Sequence, residues 1–314
     1  MKDWQPSASI RNLKKRAALI SNIRQFFVNR DYLEVETPLL SHSTVTNPYI
    51  ESIEASVQNK TLYLQTSPEF AMKRLLAAGS GPIFQISKAF RKEESGKKHN
   101  PEFTILEWYR PGFDHHQLME EMDLFLQSIL KCKAAEKITY QNLFKHYLKI
   151  DPLTATEKEL KQCAKQNNIV IDAPLEKDDW LNLLMASSIE PVCSKEKPIF
   201  VYDYPASQSA LAKISKHDAR TAARFEVFYK GIELANGFHE LSDAKEQRQR
   251  FEDNNKKRFE MGLNPPPLDE LFLQALGAGL PDCAGVAVGV DRLAMLGLDL
   301  REIQSVLSFE FSRA

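Results

Sequence analysis

The stretch of sequence that decides the fold runs from Pro82 to Tyr109 and reads PIFQISKAFRKEESGKKHNPEFTILEWY. Residues 82–91 are mostly apolar, residues 102–109 are rich in aromatic and β-favouring side chains, and a charged segment joins the two runs. Two such runs joined by a polar turn predict an antiparallel pair of strands. We therefore expect a long hairpin with a polar loop.

Helices and short strands flank this hairpin in the sequence. Apolar residues from Leu13 to Phe27 recur every three or four positions, which predicts a half-buried helix that leads into a short strand ended by Pro38. Further along, the patterns predict helices over 114–130 and 243–261, strands over 199–204, 224–230, 231–235 and 285–290, and helical fragments within 135–198. Short turns between strands favour an antiparallel sheet over a doubly wound one, so the predicted fold class is α+β. We expect a single domain over residues 1–314, with a mainly helical insertion at about 135–198.

The composition excludes several classes of protein. The 314 residues include 41 basic and 42 acidic ones, a net charge of −1, so no strongly basic surface for nucleic acid is predicted. Four cysteines lie far apart without a CxxC pair, which argues against a zinc knuckle or a disulfide framework. No stretch approaches about 18 uncharged apolar residues, so we expect neither secretion nor a membrane span and predict a cytoplasmic protein.

The polar residues of the hairpin indicate a nucleotide site. Arg91 ends an apolar strand, where its planar guanidinium can meet a phosphate, and Glu93 projects from the same face two residues on. For this pair alone a solvated charge run is the simpler interpretation, but Glu107 and Tyr109 on the apolar return strand weaken it. The sequence has no GxxxxGK[ST], GxGxxG or GxSxG motif, so any ATP chemistry must use a different phosphate cradle.

A row of acids follows later in the chain, at Glu226, Glu233 and Glu240. Carboxylates within strand-like apolar sequence are costly unless they meet a cation, and that cation is either Mg²⁺ on a polyphosphate or an ammonium group of a substrate. The alternative is a set of edge-strand charges or ordinary salt bridges, an interpretation that suits one glutamate better than three. The row therefore predicts ligand-binding acids.

The third element is the segment GVAVGVDRL, residues 285–293. Small residues at every second position clear one face of a strand, so that a flat ring can lie on the backbone, and Arg292 then begins a helix beside it. A glycine-spaced strand alone is more often a tight packing site. It indicates a nucleotide only together with the hairpin and the acidic row.

In their order and spacing, these elements resemble the three motifs of class II aminoacyl-tRNA synthetases. The matching elements are the helix, strand and proline ending at Pro38, the Arg91-x-Glu93 hairpin, and the glycine strand ending in Arg292. Within that class, residues 99–104 (HNPEFT) and 236–241 (NGFHEL) resemble the lysyl-tRNA synthetase branch. The resemblance implies the class II catalytic fold, an antiparallel sheet flanked by helices, with ATP and Mg²⁺ as cofactors and a lysine-like substrate.

Two departures from lysyl-tRNA synthetases redirect the expected function. Those enzymes carry an N-terminal OB barrel that grips the anticodon, whereas the first motif here starts at about residue 12 and leaves no room for one. At the amino-acid pocket, Ala287 stands where that branch has glycine and Ser67 where it usually has alanine. An extra methyl on a close-packed strand face would move the α-amino group of the substrate, so we expect a preference for an isomer of lysine with the amine moved one carbon along.

Residues 4–9, 202–208 and 225–241 are similar to the elongation factor P lysine ligases, truncated lysyl-tRNA synthetase paralogues, and the similarity extends from end to end. This resemblance implies a ligase that forms an (R)-β-lysyl adenylate from ATP and transfers the β-lysine, through an amide bond, to the ε-amine of one lysine of elongation factor P. That protein is then the expected partner, and tRNA is not.

The resemblance also implies roles for individual residues. Arg91 and Arg292 are the expected catalytic residues, because both arginines offset the charge that develops at phosphorus. The expected ATP-binding residues are Arg91, Lys92, Glu93, His99, Asn100, Phe103, Glu233, Leu234, Gly289 and Arg292. The residues expected to bind the lysine substrate are Ser67, Pro68, Glu69, Glu107, Tyr109, Asn236, Phe238, Glu240 and Ala287. Glu226 and Glu233 are expected to hold Mg²⁺ on the phosphates.

Two other interpretations stay open at this point. One is a truncated synthetase that charges tRNA with α-lysine, against which the missing anticodon domain and the near-zero net charge argue. The other is a non-catalytic paralogue that senses lysine or scaffolds a partner, against which the intact Arg91, Glu93, Glu233 and Arg292 argue. By analogy with the class, whose first motif forms the subunit interface, we expect a homodimer.

Overall fold

The computed structural model describes residues 4–92 and 94–314. Glu93, which the sequence places in the ATP site, lies outside the described residues. The chain divides into two compact units: the first contains the residues up to Gly112 and those from Leu241 onward, and the second contains Phe113–Glu240. The predicted single domain with an insertion at about 135–198 stays a prediction.

Strands and helices are spread over both units. The strands are β1 (Leu33–Glu34), β2 (Leu40–Ser41), β3 (Glu54–Val57), β4 (Lys60–Leu64), β5 (Ile83–Phe90), β6 (Glu102–Pro111), β7 (Glu136–Thr139), β8 (Ile199–Pro205), β9 (Thr221–Tyr229), β10 (Ile232–His239) and β11 (Cys283–Gly289). The α-helices are α1 (Ile10–Val28), α2 (Glu69–Ala77), α3 (His115–Leu130), α4 (Tyr140–Leu148), α5 (Glu157–Gln166), α6 (Lys177–Leu184), α7 (Glu190–Cys193), α8 (Ala244–Glu260), α9 (Glu270–Gly279) and α10 (Val290–Gly297). One turn of π-helix covers Met185–Ile189, and short 3₁₀ turns cover Ala206–Gln208, Ile303–Val306 and Phe311–Arg313.

The first unit contains the predicted hairpin. Strands β5 and β6 pair antiparallel from end to end, and β11 pairs antiparallel with the other edge of β6. A small antiparallel sheet of β2, β4 and β3 belongs to the same unit. Helix α1 covers one face of the hairpin, where the ring of Phe27 stacks on Phe84 at 4.6 Å and meets Trp108 edge-on at 5.1 Å. These buried rings form the apolar core against which the hairpin is held.

The second unit contains four strands and the helices of the predicted insertion. Strand β9 pairs antiparallel with both β10 and β8. Buried side chains of the helices and strands, among them Phe144, Trp180, Leu184 and Phe228, pack into one hydrophobic cluster. The prediction of helical fragments in this region is confirmed by α5 and α6, because each presents an apolar stripe to that cluster.

Two strand pairs depart from the expected antiparallel order. Strand β1 runs parallel to β5, and β7 runs parallel to β8. In both cases more than a dozen residues separate the paired strands in the sequence, which is the condition that a parallel crossover needs. The expectation of a mainly antiparallel sheet flanked by helices is confirmed, but short connections alone did not predict these two edges.

Candidate active site

The register of the first unit's sheet places the predicted pocket residues in one row. Glu107 on β6 lies opposite Gln85 on β5 and opposite Ala287 on β11. Two positions along, Tyr109 lies opposite Gly285. Residues paired across antiparallel strands project from the same face, so the small residues of β11 lie beside Glu107 and Tyr109. The opposite face carries Phe84 and the α1 core, which leaves this face for the site.

Glu107 is the acid of this row, and only 1% of its surface is exposed. It accepts a hydrogen bond from Ser67 Oγ at 2.5 Å and another from the hydroxyl of Tyr109 at 3.2 Å. Burial raises the pKa of Glu107 to about 8, and the nearby Glu69 carboxylate adds to the rise. The two hydroxyls act against it. Near neutral pH this carboxyl therefore stays largely protonated until a cation arrives.

Three further residues predicted to bind the substrate, Ser67, Pro68 and Glu69, lie at the start of α2 in the same unit. The helix begins at Glu69, and Pro68 occupies its N-cap position. Ser67 still serves this helix end, because its Oγ accepts the backbone N–H of Glu69 at 3.0 Å. A cavity of about 250 Å³ lies here, and Ser67, Pro68 and Glu69 are part of its wall.

Lys73 is the ion-pair partner of Glu69, and the sequence did not predict it. Its side chain is fully buried, and its Nζ donates to Oε1 of Glu69 at 2.6 Å. A buried lysine almost always has a partner, and here the partner lies one helical turn away. The spacing of four residues on a helix was the available signal. The pair gives Glu69 an internal counter-charge.

The hairpin loop carries the predicted nucleotide residues. The guanidinium of Arg91 lies 5.1 Å from the ring centroid of Phe103, and its Nη1 donates to Glu94 at 2.8 Å. Its Nε is buried and has no hydrogen-bond partner between residues 4 and 92 or 94 and 314. Lys92 is paired with Glu51 at 3.0 Å. Arg91 therefore keeps a donor that a phosphate or carboxylate oxygen could accept.

Two further predicted residues meet each other. Nη2 of Arg292 lies 2.5 Å from Nε2 of His99, and its Nε donates to the backbone oxygen of Lys98 at 3.3 Å. Gly289, also predicted, is the residue that precedes helix α10 and lies opposite Ile105. The helix that follows the glycine strand is thus in contact with the hairpin loop.

Asn100 is fixed by contacts within the protein. Its Nδ2 donates to the backbone oxygen of Glu102 at 2.6 Å, and its Oδ1 accepts the backbone N–H of Phe311 at 3.0 Å. The side chain is 8% exposed. Its amide therefore ties the hairpin loop to the last 3₁₀ turn, and the expected ATP contact of Asn100 stays a prediction.

A partly buried ion pair that the sequence did not predict is formed by Asp291, the residue before Arg292. Asp291 accepts the backbone N–H of Thr104 at 2.7 Å and pairs with Arg16 of α1 at 2.6 Å. Arg16 also donates to the hydroxyl of Thr104 at 2.9 Å. Helices α1 and α10 are therefore both fastened to the same point of β6, next to Phe103.

In the second unit, the predicted metal ligand Glu226 has protein partners on both oxygens. One oxygen is paired with the guanidinium of Arg224, and the other accepts the hydroxyl of Tyr204 at 2.6 Å. Burial raises the pKa of Glu226, while the positive charge of Arg224 acts against the rise. Neither partner was predicted, although Arg224 lies two residues away on the same strand face.

The remaining predicted residues of this unit lie on or beside β10. Asn236 is opposite Glu226 and accepts Nε of Arg224 at 3.2 Å, and Phe238 is opposite Arg224. Between them, Gly237 is required, because a Cβ there would lie 2.3 Å from the ring of Phe225. The other predicted residues occupy the same strand or its end, and they are Glu233, Leu234 and the buried Glu240.

The chain matches a family model described as tRNA synthetases class II (D, K and N) over residues 2–313. It is 53% identical over 320 residues to the elongation factor P–(R)-β-lysine ligase of Proteus mirabilis, covering 99% of this chain and 98% of that protein. It is also 53% identical over 319 residues to the ligase of the same name from Salmonella paratyphi B, with the same coverage.

Proposed function

We propose, from the premise that this chain belongs to the class II tRNA synthetases (D, K and N), that it is an ATP-dependent ligase for β-lysine. It activates (R)-β-lysine as an aminoacyl-adenylate and then forms an amide bond with the ε-amine of a lysine of elongation factor P. Use of ATP follows from the family. The substrate and the partner are those named in its relatives, which align over 99% of this chain.

The observation that carries this proposal is the enclosed Glu107 with its row of neighbours. A carboxyl with a pKa raised to about 8 by burial, next to a second acid, favours a bound ammonium group over a neutral side chain. Ala287 lies directly opposite Glu107 in the sheet. Its methyl group takes up space on the strand face where the substrate is proposed to lie. The reduced space supports a lysine isomer whose amine is moved one carbon along.

The nucleotide half of the site supports ATP binding through its cations. Arg91 offers an unused buried donor, and Arg292 lies at the other side of the same loop. In the proposed mechanism Arg91 binds the α-phosphate and orients the substrate carboxylate for in-line attack, while Phe103 and Arg292 hold the purine. Positioning and charge stabilisation carry the reaction, so no side chain needs to move a proton in the activation step.

We propose that two acids of the second unit hold Mg²⁺. Mg²⁺ on a polyphosphate is held by only one or two carboxylates, together with phosphate oxygens and water, so a larger cluster of ligands is not required. Glu226 and Glu233 would supply these carboxylates, and the ion would neutralise charge on the phosphates. Arg224 and Tyr204 hold Glu226 in place by direct hydrogen bonds.

Pyrophosphate exchange tests the activation step directly. We expect exchange with β-lysine at a higher kcat/KM than with α-lysine, and no charging of tRNA. Mass spectrometry of elongation factor P incubated with ATP, β-lysine and this protein should then find one lysine heavier by one lysyl residue. Absence of exchange with either isomer would exclude the enzyme, and charged tRNA would favour the synthetase alternative.

A homodimer formed through the first motif is part of the proposal. Three apolar side chains on α1 and β1 are more than half exposed, at 60% for Ile10, 58% for Val28 and 55% for Leu33. Exposed apolar groups of this kind are typical of subunit interfaces. Light scattering should give twice the mass of one chain.

We also propose a cytoplasmic location, which is consistent with the elongation factor P ligases that this chain resembles. Separately, none of the helices within residues 4–92 and 94–314 combines the length and the apolar composition that a membrane span needs.

A further inference from the structure

A buried glutamine lies opposite Glu107 in the sheet of the first unit. Gln85 on β5 is only 2% exposed. Its Oε1 is buried and accepts no hydrogen bond from the residues that the structure describes. Nearly all buried polar atoms in folded proteins have a hydrogen-bond partner. A buried acceptor without a donor in the protein therefore indicates that a bound ligand supplies the donor.

The sheet register fixes the direction in which Gln85 projects. Gln85 is paired with Glu107, and the adjacent pair is Phe84 with Trp108. Phe84 faces α1, where it stacks on Phe27. Since neighbouring residues of a strand project to opposite faces, Gln85 points away from that core and lies on the face of Glu107, at the short Cβ separation of a cross-strand pair.

A second buried glutamine of the same unit offers a direct contrast. Gln65 is 8% exposed, and its Nε2 donates to the hydroxyl of Ser87 at 3.2 Å and to the backbone oxygen of Lys88 at 2.7 Å. Its amide holds strand β5 in place. Gln85 on that strand has no such structural contact through its amide oxygen.

We propose that Gln85 is a substrate-binding residue whose amide oxygen accepts a hydrogen bond from an ammonium group of the bound diamino acid, beside Glu107. This inference rests on the proposed function. An ammonium has three N–H donors, which one carboxyl cannot all satisfy. The neutral amide supplies an acceptor without placing a third negative charge next to Glu69 and Glu107.

The test compares Gln85→Met with Gln65→Met, because methionine keeps the length of the side chain and removes the amide. Replacing an unsatisfied buried amide by an apolar group should leave the thermal midpoint of Gln85→Met unchanged or higher. Its KM for β-lysine in pyrophosphate exchange should rise about tenfold or more, and its KM for ATP should stay within about twofold. Gln65→Met should lower the thermal midpoint, because the oxygen of Lys88 loses its donor.

Substrate analogues identify the amine. With an analogue that lacks the β-amine or one that lacks the terminal amine, the KM ratio of Gln85→Met to wild type should fall to about one for whichever analogue lacks the contacted group. A ratio that persists with both analogues would overturn the proposal, as would an unchanged KM for β-lysine or a thermal midpoint that falls as in Gln65→Met. Wild-type protein without exchange activity would instead reject the proposed function itself.

Discussion

Glu107 in the first unit and Glu226 in the second are both buried acids on strands, but their partners differ. Glu107 is held by the hydroxyls of Ser67 and Tyr109, and Glu226 is held by the guanidinium of Arg224 and the hydroxyl of Tyr204. Burial raises the pKa of both carboxyls. Only Glu226 has a full positive charge at hydrogen-bond distance to act against that rise.

The difference suits two separate tasks. A carboxyl with neutral partners and a pKa of about 8 keeps its proton near neutral pH and loses it when a cation enters, which is the behaviour that the proposed amine contact of Glu107 needs. A carboxylate held by a guanidinium and a hydroxyl has a fixed direction, which is what the proposed metal contact of Glu226 needs. Removing a partner from Glu226 and removing one from Glu107 should therefore have different effects on the free energy of unfolding and on its pH dependence.

The largest effect is expected from Arg224→Met. This change leaves the Glu226 carboxylate mostly buried without its counter-charge, which should lower the free energy of unfolding by about 4 kcal/mol. Urea denaturation at pH 7 measures the loss. Arg220→Met is the matched control, because Arg220 makes a more exposed pair with Asp218. It should leave the free energy of unfolding nearly unchanged.

The second-site change Glu226→Gln tests whether the unpaired charge of Glu226 causes this loss of stability. Removing the unpaired charge should restore part of the stability that Arg224→Met loses, since the glutamine amide is neutral. Losses that simply add in the double variant would mean that the guanidinium of Arg224 does not stabilise the charge of Glu226.

Next in size is the pH dependence that Glu107→Gln removes. Because the pKa of Glu107 is raised from 4.5 to about 8 in the folded protein, the unfolded chain loses this proton first as pH rises. The contribution of the group to stability is complete below pH 4.5 and falls by about 1.4 kcal/mol per pH unit up to pH 8. Relative to wild type, Glu107→Gln should thus gain about 3 kcal/mol between pH 5 and pH 7.

Urea denaturation at both pH values gives this difference. Glu102→Gln provides the control, because it removes an exposed carboxylate from the same strand. The difference between this control and wild type should not change over the same range. A Glu107→Gln difference that is constant with pH would mean that Glu107 is ionised throughout, like a carboxylate with a cationic partner.

The alternation and glycine spacing of the sequence were sufficient for the hairpin, the glycine strand and most helices, because burial on one face imposes those periods. They also indicated the acids. The partners of these acids could not be predicted in the same way. Arg224 pairs with Glu226 two residues along the same strand, and Lys73 pairs with Glu69 one helical turn away. Ser67 reaches Glu107 from 40 residues away in the sequence. Which of the nearby polar residues pairs with a given acid depends on strand register and side-chain packing. The local sequence pattern predicts neither of them.

A smaller effect is expected from Ser67→Ala. It removes the hydroxyl that donates to Glu107 at 2.5 Å and accepts the N–H of Glu69, so the free energy of unfolding should fall by about 1–2 kcal/mol. Because this hydrogen bond acts against the rise in the pKa of Glu107, its loss should move the pH-dependent range of stability upward. Ser67→Thr, which keeps a hydroxyl, should retain most of the wild-type profile. A downward shift in Ser67→Ala would contradict the assigned contact.

The smallest effect is expected from Tyr109→Phe, which removes the weaker of the two donors to Glu107. The contact is 3.2 Å long and the ring stays buried, so the loss in free energy of unfolding should be about 0.5–1 kcal/mol. The pKa of Glu107 should rise in this variant too, but by less than in Ser67→Ala, because the Ser67 contact is the shorter one. In each of these two variants, the stability is compared with that of the same variant carrying Glu107→Gln, as a function of pH. The pH midpoints of the two differences rank the two hydroxyls by their effect on the pKa of Glu107. A larger shift for Tyr109→Phe than for Ser67→Ala would make Tyr109 the residue that sets the charge of this acid, and the hydroxyl of Ser67 would then serve mainly to fix the start of α2.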